Sequence, residues 1–264
     1  ICEIPSLIFS YFPSNLHLLY TIPLYFNNDI VPKFIHFSFA LLTAWLVFIY
    51  LKRRIGLLYG LAGVLFFLSL PLIVKLSTTV YVDLGLVFFS TASLYYLLKW
   101  IENEFKLKFL VISAIWCGFA LGTKYNGLIV LLLLTLFVPF VYSRSVRHRK
   151  PESFEKNRFQ SDFRAAGYGT IFMLIALLIF SPWMIRNYIW TNNPVYPLYD
   201  NWFNAENPAP VYSILTIMNF EMRSVIQKEA WWQIALLPVR IFFQGQDGNP
   251  RYFDGKLTPF LLFL

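Results

Sequence analysis

Long apolar runs alternate with short polar segments over most of the chain. A transmembrane helix needs about 20 predominantly apolar residues, and fewer where the helix is broken or tilted. By this criterion the sequence predicts membrane-spanning helices over residues 33–51, 56–74, 82–99, 109–123, 127–143 and 166–184, with a seventh starting near residue 257. The predicted fold class is therefore all-α, a polytopic transmembrane helical bundle of about six or seven spans.

Lysine and arginine residues cluster in three of the predicted connections. They follow the first span in LKRR, the third span in KWIENEFKLK, and the fifth span in the long polar segment 144–164. If the spans alternate in direction, all three connections lie on one face, which the positive-inside rule assigns to the cytoplasm. A missed span between them would scatter the basic connections over both faces, so the charge pattern supports the span count.

The opposite, outer face receives connections that are rich in aromatic residues, proline and asparagine. These are residues 1–29, the segments STTVYVDLG and TKYNG, and the long stretch 182–256. Within the last of these, WWQIALLPVRIFF carries few charges, which is typical of a helix that lies in the membrane interface. Because no repeat or low-complexity tract interrupts the chain, we predict one transmembrane domain over residues 1–264.

The composition favours lipid as the surrounding solvent. Of 264 residues, 58% are hydrophobic, 20% aromatic and 14% charged, and a soluble domain would expose much of that apolar surface. The net charge of +8 lies in short clusters between apolar runs, so it needs no nucleic-acid partner. Since the chain starts at Ile1 without an initiating Met and stops inside an apolar run, we expect a fragment of a longer protein, truncated at both ends.

Asp83 is the first candidate for chemistry, because it stands at the outer end of the third predicted span in TTVYVDLGLVFF. An acid there has an ordinary explanation as a solvated helix N-terminus that interacts favourably with the helix dipole. As a functional group, the carboxylate would act as a base toward an acceptor hydroxyl or bind a divalent metal ion. The position alone does not decide between the two.

Lys124 and Tyr125 occupy a tight predicted turn, GTKYNG, between two apolar runs. A lysine there can simply extend to the lipid headgroups. The neighbouring Gly122, Asn126 and Gly127 favour a fixed ammonium instead, and a fixed cation at the membrane boundary suits a phosphate or pyrophosphate group. We therefore predict that Lys124 and Tyr125 bind substrate.

Arg186 and Asn187 follow the sixth span in PWMIRNY. Arginine offers a planar fork of donors to phosphate oxygens, although a boundary anchor beside Trp183 and Tyr188 would look the same in sequence. The histidines His17 and His36 stand alone, without the spacing of metal ligands, and are expected to be packing residues. The sequence contains no P-loop, GxGxxG, GxSxG or zinc-binding pattern.

Several of these stretches together resemble a known family. YVDLGLVFFSTASLYYLLKW, GFALGTKYNGLIVLLLL and SPWMIRNYIWTNNPVYPLY, in this order, are similar to the polytopic GT-C glycosyltransferases. Within that superfamily they look like bacterial and archaeal relatives of the protein O-mannosyltransferase and aminoarabinose transferase group. SYFPSNLHLLYTIPL and LLPVRIFF resemble further outer segments of the same group, so the resemblance touches most of the chain.

The resemblance implies an enzyme of the cytoplasmic (inner) cell membrane in the cell envelope. Such enzymes move a sugar from a polyprenyl-phosphate donor to an acceptor hydroxyl on a lipid, glycan or protein at the outer face. It implies that Asp83 is the second outer-loop acid, as catalytic residue or metal ligand, and that the first-loop acid lies upstream of Ile1. Arg186 would hold the donor phosphate, with Asn187 and Tyr196 of the same loop binding substrate. His17 stands where relatives tend to carry an acid.

Two other functions remain open at the level of sequence. A transporter or flippase of lipid-linked saccharides would share the spans and a basic site, but it predicts ionisable or helix-breaking residues near the membrane midplane. A structural or assembly subunit predicts that Asp83→Asn and Arg186→Ala are tolerated. Within the enzyme class, a transferase that uses a diphosphate-linked donor is a further possibility.

Overall fold

The computed structural model describes residues 7–149, 158–205, 222–225, 227–246, 248–252, 255 and 257. The regular structure of these residues is helical and contains no strand, which confirms the all-α class. In chain order, the first helices are α1 (Asn15–Tyr25), α2 (Val31–Arg54), α3 (Leu57–Ser69), α4 (Pro71–Ser77), α5 (Asp83–Glu102), α6 (Leu107–Leu121), α7 (Gly127–Arg149) and α8 (Arg158–Thr191). They are followed by α9 (Asp200–Phe203), α10 (Met222–Val225), α11 (Trp231–Ala235) and α12 (Leu237–Gln244).

Each of the six predicted internal spans is helical, but the span 56–74 forms two helices, and not every helix is long enough to cross a membrane. Among the described residues, α2, α5, α7 and α8 meet the length and hydropathy requirements of a span, and α3 with α4 meets them as a bent pair. Helix α6 has 15 residues, or about 22 Å, against a hydrocarbon core of about 30 Å. The polytopic bundle is confirmed with four or five spans in the described residues, and the seventh predicted span lies beyond them apart from Leu257.

The predicted span 56–74 is broken because of one proline. Leu70 has φ −62° and ψ 125°, and Pro71 begins α4. A residue before proline is driven out of the helical region, and proline is well tolerated at the first helical position. Helices α3 and α4 therefore meet at a bend of 67°, which the apolar run alone does not reveal.

The contacts group the chain into two compact units. The bundle unit comprises Phe12–Val64 and Val80–Trp183, and the loop unit comprises Ile1–Tyr11, Leu65–Thr79 and Met184–Leu264. In the bundle unit, α5 is the central helix and packs on α2, α6 and α7. That the whole chain forms one domain stays a prediction.

Helices α5 and α6 form an antiparallel hairpin that is joined by a buried pair of serines. The Ser93 hydroxyl donates to the Ser113 carbonyl at 2.9 Å, and the Ser113 hydroxyl donates to the Ser93 carbonyl at 2.6 Å. Both serines are fully buried, as are the neighbouring Ala92 and Ala114. Small residues allow helix backbones to approach closely in a membrane protein, and hydroxyls that bond across the interface fix their alignment.

The serine pair determines where the start of α5 lies relative to the end of α6 along the bundle. Asp83 lies ten residues before Ser93 and Lys124 lies eleven residues after Ser113. At 1.5 Å per helical residue, these separations are about 15 and 16 Å along antiparallel axes. The start of α5 and the turn after α6 therefore reach the same height in the bundle.

Substitution of Ser93 by leucine tests this register. The larger leucine side chain would have to force α5 away from α6, and overpacking of this kind costs about 1–3 kcal/mol. We expect a clear fall in the melting temperature of the purified protein. Ser90→Leu is the matched control, because Ser90 is half-buried and its hydroxyl bonds to the Leu86 carbonyl of its own helix. Equal melting temperatures for the two variants would contradict the serine-determined register.

Candidate functional site

The structure brings two of the predicted site residues into direct contact in the bundle unit. Asp83 is the first residue of α5, and the Lys124 ammonium donates to its Oδ1 at 2.8 Å. The Asp83 side chain is 34% exposed and the Lys124 side chain 38%. The pair is thus fixed by geometry and still accessible from outside the bundle.

The first turn of α5 is held by a buried histidine. The Nε2 atom of His36, on α2, accepts a hydrogen bond from the Leu84 amide at 3.1 Å. The His36 side chain is completely buried, and it satisfies one of the amides that every helix start leaves without an intrahelical partner. His36 was expected to be a packing residue, and the structure adds that it orients the turn that carries Asp83.

Tyr20 of α1 lies close to the same turn. Its hydroxyl donates to the Tyr81 carbonyl at 2.8 Å. Burial, with a smaller contribution from the negative charge of Asp83, raises the pKa of Tyr20 well above its ordinary value. The phenol therefore keeps its proton and its hydrogen bond.

The turn that carries Lys124 is anchored by Asn15 at the start of α1. The backbone amide of Asn15 donates to the Gly122 carbonyl at 2.9 Å. The side-chain Oδ1 of Asn15 accepts from the indole N–H of Trp183 at 2.8 Å. A Cβ atom at Gly122 would lie 2.1 Å from Asn15 Nδ2. A side chain at this position would displace the Asn15 side chain, so glycine permits the close approach of α1 to the Lys124 turn.

Tyr125 lies beside the ion pair in sequence but packs into the bundle unit. Its half-buried ring makes edge contacts with Phe12, with centroids 5.5 Å apart, and with Phe180, with centroids 6.4 Å apart. The predicted substrate-binding role of Tyr125 stays a prediction.

The other three predicted site residues meet in the loop unit. The Arg186 guanidinium donates to the Tyr11 carbonyl at 2.6 Å and to Asn187 Oδ1 at 2.8 Å, and it lies over the Trp190 ring at 4.9 Å. Asn187 Nδ2 donates to the carbonyls of Tyr11 and Tyr196 at 3.0 and 3.3 Å. Neutral oxygens and one aromatic face thus orient the half-buried Arg186.

Asn187 and Tyr196 are themselves buried. Asn187 is completely buried and Tyr196 is 4% exposed. Burial, and to a lesser extent the charge of Asp200, raises the pKa of Tyr196. Their contacts give both residues a supporting position behind Arg186.

A buried aspartate that the sequence analysis missed closes the loop after α8. Asp200 is completely buried, and its Oδ1 accepts from Asn193 at 3.2 Å and from Asn204 at 2.6 Å. Asn193 Oδ1 also accepts from the Val195 amide at 3.0 Å. The alternation of Asn and Asp in this loop was the available signal, because these side chains bond to nearby backbone in turns.

A second missed group lies further along the loop unit. Glu229 is 7% exposed and binds the guanidinium groups of Arg223 and Arg240 at 2.8 and 2.9 Å. The hydrogen bonds from Arg223, followed by those from Arg240, lower the pKa of Glu229 to about 2. This ion cluster joins α10 to α12, and of its three residues Arg240 lies within the predicted interfacial segment WWQIALLPVRIFF.

The residues around Asp83 do not by themselves fit a divalent metal ion. Asp83 Oδ1 is occupied by a cationic side chain. No group of three or more His, Cys, Asp or Glu side chains with metal-binding geometry occurs in the described part of the chain. His17 is exposed on α1, with its ring centroid 6.4 Å from that of Tyr20. The metal ion predicted at Asp83 stays a prediction, and no step proposed below depends on it.

Removal of the Asn187 side chain tests the support of Arg186. Asn187→Ala would take a buried donor from two carbonyls and an acceptor from Arg186, at a cost of about 1–3 kcal/mol. We expect a lower melting temperature and faster proteolysis within residues 184–205. Asn126→Ala, at an exposed position, is the control. A variant at position 187 as stable as this control would show that the Asn187 contacts contribute nothing.

Comparison with known proteins agrees with the sequence resemblance. Residues 24–153 match the family model of the dolichyl-phosphate-mannose-protein mannosyltransferases. The match covers α2 to α7 and so includes Asp83, Lys124 and Tyr125, while Arg186, Asn187 and Tyr196 lie beyond it. No curated protein and no solved structure matches the chain significantly. Together with the apolar helices, this match, which covers just under half of the chain, supports a GT-C-like membrane glycosyltransferase related to that mannosyltransferase family.

Proposed function

We propose that this membrane glycosyltransferase moves a sugar from a polyprenyl-phosphate donor to an acceptor hydroxyl on a lipid, glycan or protein. The reaction takes place at the outer face of the cytoplasmic membrane, where α5 begins. The Asp83–Lys124 pair is the observation that carries this proposal. The family description, which names a lipid-linked phosphosugar as the donor of its members, supports it.

The ion pair contributes too little free energy to the fold for its stabilising effect alone to account for it. Exposed ion pairs contribute about 0–1 kcal/mol, and both side chains are about one-third exposed. An acid in the first helical turn adds about 0.3–1 kcal/mol through the helix dipole. These small gains contrast with the three contacts that fix the two segments carrying the pair, a buried one from His36 and partly buried ones from Tyr20 and Asn15. Such support is typical of a preorganised site.

The reaction uses both charges. The acceptor oxygen attacks the anomeric carbon, and a new carbon–oxygen bond forms while the bond from that carbon to the phosphate oxygen breaks. The phosphate leaves with the bonding electron pair, and the hydroxyl proton passes to the Asp83 carboxylate. Lys124 has three donors, one of which binds Asp83, so others can stabilise the negative charge that develops on the phosphate.

We propose a separate donor-binding role for the loop unit. Arg186 presents a planar guanidinium that matches phosphate oxygens, and its contacts with Tyr11, Asn187 and Trp190 hold it in place. In this proposal Asn187 and Tyr196 contribute to substrate binding by orienting Arg186. Tyr125 offers its half-buried ring to the sugar or to the lipid chain.

The decisive variant is Asp83→Asn, which keeps the shape of the side chain and removes its basicity. Positioned bases typically contribute 10²–10⁴-fold to the rate, so we expect sugar transfer to fall by at least about 100-fold. Membranes that contain the protein would receive a radiolabelled polyprenyl-phosphate sugar, and label would be followed from the lipid to the acceptor. Asp29→Asn removes an exposed acid from the same predicted face and serves as the matched control.

Transfer that is unchanged in Asp83→Asn at equal expression would overturn the proposed role of Asp83. Label that crosses the membrane while still attached to its lipid, with no transfer to any acceptor, would instead support a flippase. Lys124→Gln separates the two charges of the site, because it should slow departure of the phosphate while the Asp83 base is retained.

A further inference from the structure

An apolar groove runs between α2 and α5 in the bundle unit. It has a volume of about 190 Å³ and is lined mainly by aliphatic side chains, including Leu46, Val47, Leu51, Leu94 and Leu98. The rings of Tyr50 and Tyr95 flank it. A narrow apolar groove on membrane-spanning helices is suited to part of a hydrocarbon chain.

One end of the groove continues into a small basic pocket. Arg53, Arg54, Lys99 and Glu102 line this pocket together with the two tyrosines of the groove. Three cationic side chains face one carboxylate, so the pocket carries a net charge of about +2 at neutral pH.

Contacts within the pocket fix the positions of these charges. Glu102 binds the Arg54 guanidinium and lies 3.5 Å from Arg53, while Lys99 lies over the Tyr95 ring at 4.6 Å. The Glu102 side chain is 18% exposed, whereas those of Arg53 and Arg54 are 62% and 51% exposed. The carboxylate thus lies behind the guanidinium groups, and positive charge is presented outward at the mouth of the groove.

The pocket lies at the opposite end of α5 from Asp83. Asp83 and Glu102 are the first and last residues of this 20-residue helix, which separates them by about 29 Å. That distance is close to the thickness of the hydrocarbon core. The groove and pocket therefore face the membrane leaflet on the Lys- and Arg-rich side, away from the proposed site of sugar transfer.

We propose that the α2–α5 groove and its basic pocket form a binding site for an anionic phospholipid. One acyl chain occupies the groove, and the phosphate lies against Arg53, Arg54 and Lys99. The apolar groove lies next to a pocket with a net positive charge, and this combination favours an anionic lipid. A zwitterionic lipid would fill the groove without matching the charge of the pocket. If these lysine and arginine side chains were only anchors in the headgroup region, an apolar groove beside them would not be required.

The test measures how many lipid molecules stay bound to the purified protein. Delipidated protein would be incubated with phosphatidylglycerol or phosphatidylcholine of identical acyl chains, and retained lipid would be counted by native mass spectrometry. We expect about tenfold preferential retention of phosphatidylglycerol. The double variant Arg53→Gln with Lys99→Gln should lose this preference.

Two further variants test separately the contributions of the pocket charge and of the groove. Lys52→Gln with Lys108→Gln removes the same charge from exposed positions on the same face that do not line the pocket, and it should retain the preference. Leu94→Trp fills the groove and should reduce retention of both lipids.

Equal retention of the two phospholipids by the unaltered protein, or equal loss in the two double variants, would overturn the proposal. Displacement of phosphatidylglycerol by an equimolar polyprenyl phosphate would overturn it too, by assigning the groove to the tail of the sugar donor.

Discussion

The reciprocal hydrogen bonds between Ser93 and Ser113 are the constraint on which the bundle unit depends. Each hydroxyl bonds to the carbonyl of the other serine across the fully buried α5–α6 interface. Lipid supplies little hydrophobic driving force between helices, so close packing of small residues and interhelical hydrogen bonds must set their alignment. A shift of α6 by one residue would break both bonds and leave the buried hydroxyls without these interhelical partners. The serines therefore fix one register, and that register brings Asp83 to Lys124.

Helix α5 links this register to two chemically different surfaces. At its first turn, His36, Tyr20 and Asn15 support the carboxylate and ammonium of the proposed transfer site. At its last turn, Glu102 organises the basic pocket beside the α2–α5 groove. A rigid helix about as long as the hydrocarbon core is thick can hold both surfaces without either disturbing the other. In the loop unit, hydrogen bonds of Arg186, Asn187 and Asp200 create a second ordered cluster.

The sequence predicted the helices well because apolar runs report directly on membrane-embedded segments. The run 109–123 became Leu107–Leu121, and the run 127–143 lies within Gly127–Arg149. The bend at Leu70 was missed although Pro71 marks it, since hydropathy alone ignores backbone geometry. The positions of Asp83, Lys124 and Arg186 at helix ends were predictable, but their partners were not. His36 bonds to a residue 48 positions away and Arg186 to one 175 positions away. Hydrophobic periodicity predicts which face of a helix is buried, but it does not predict which residues pack against that face.

A double-mutant cycle on sugar transfer tests the central claim most directly. The rates of Asp83→Asn, Lys124→Gln and the double variant would be compared with that of the unaltered protein at equal expression. If the α5–α6 register joins the two residues in one site, the losses are strongly non-additive, and the double variant is about as slow as the slower single variant. Losses that multiply independently, or single variants that lose nothing, would contradict the account.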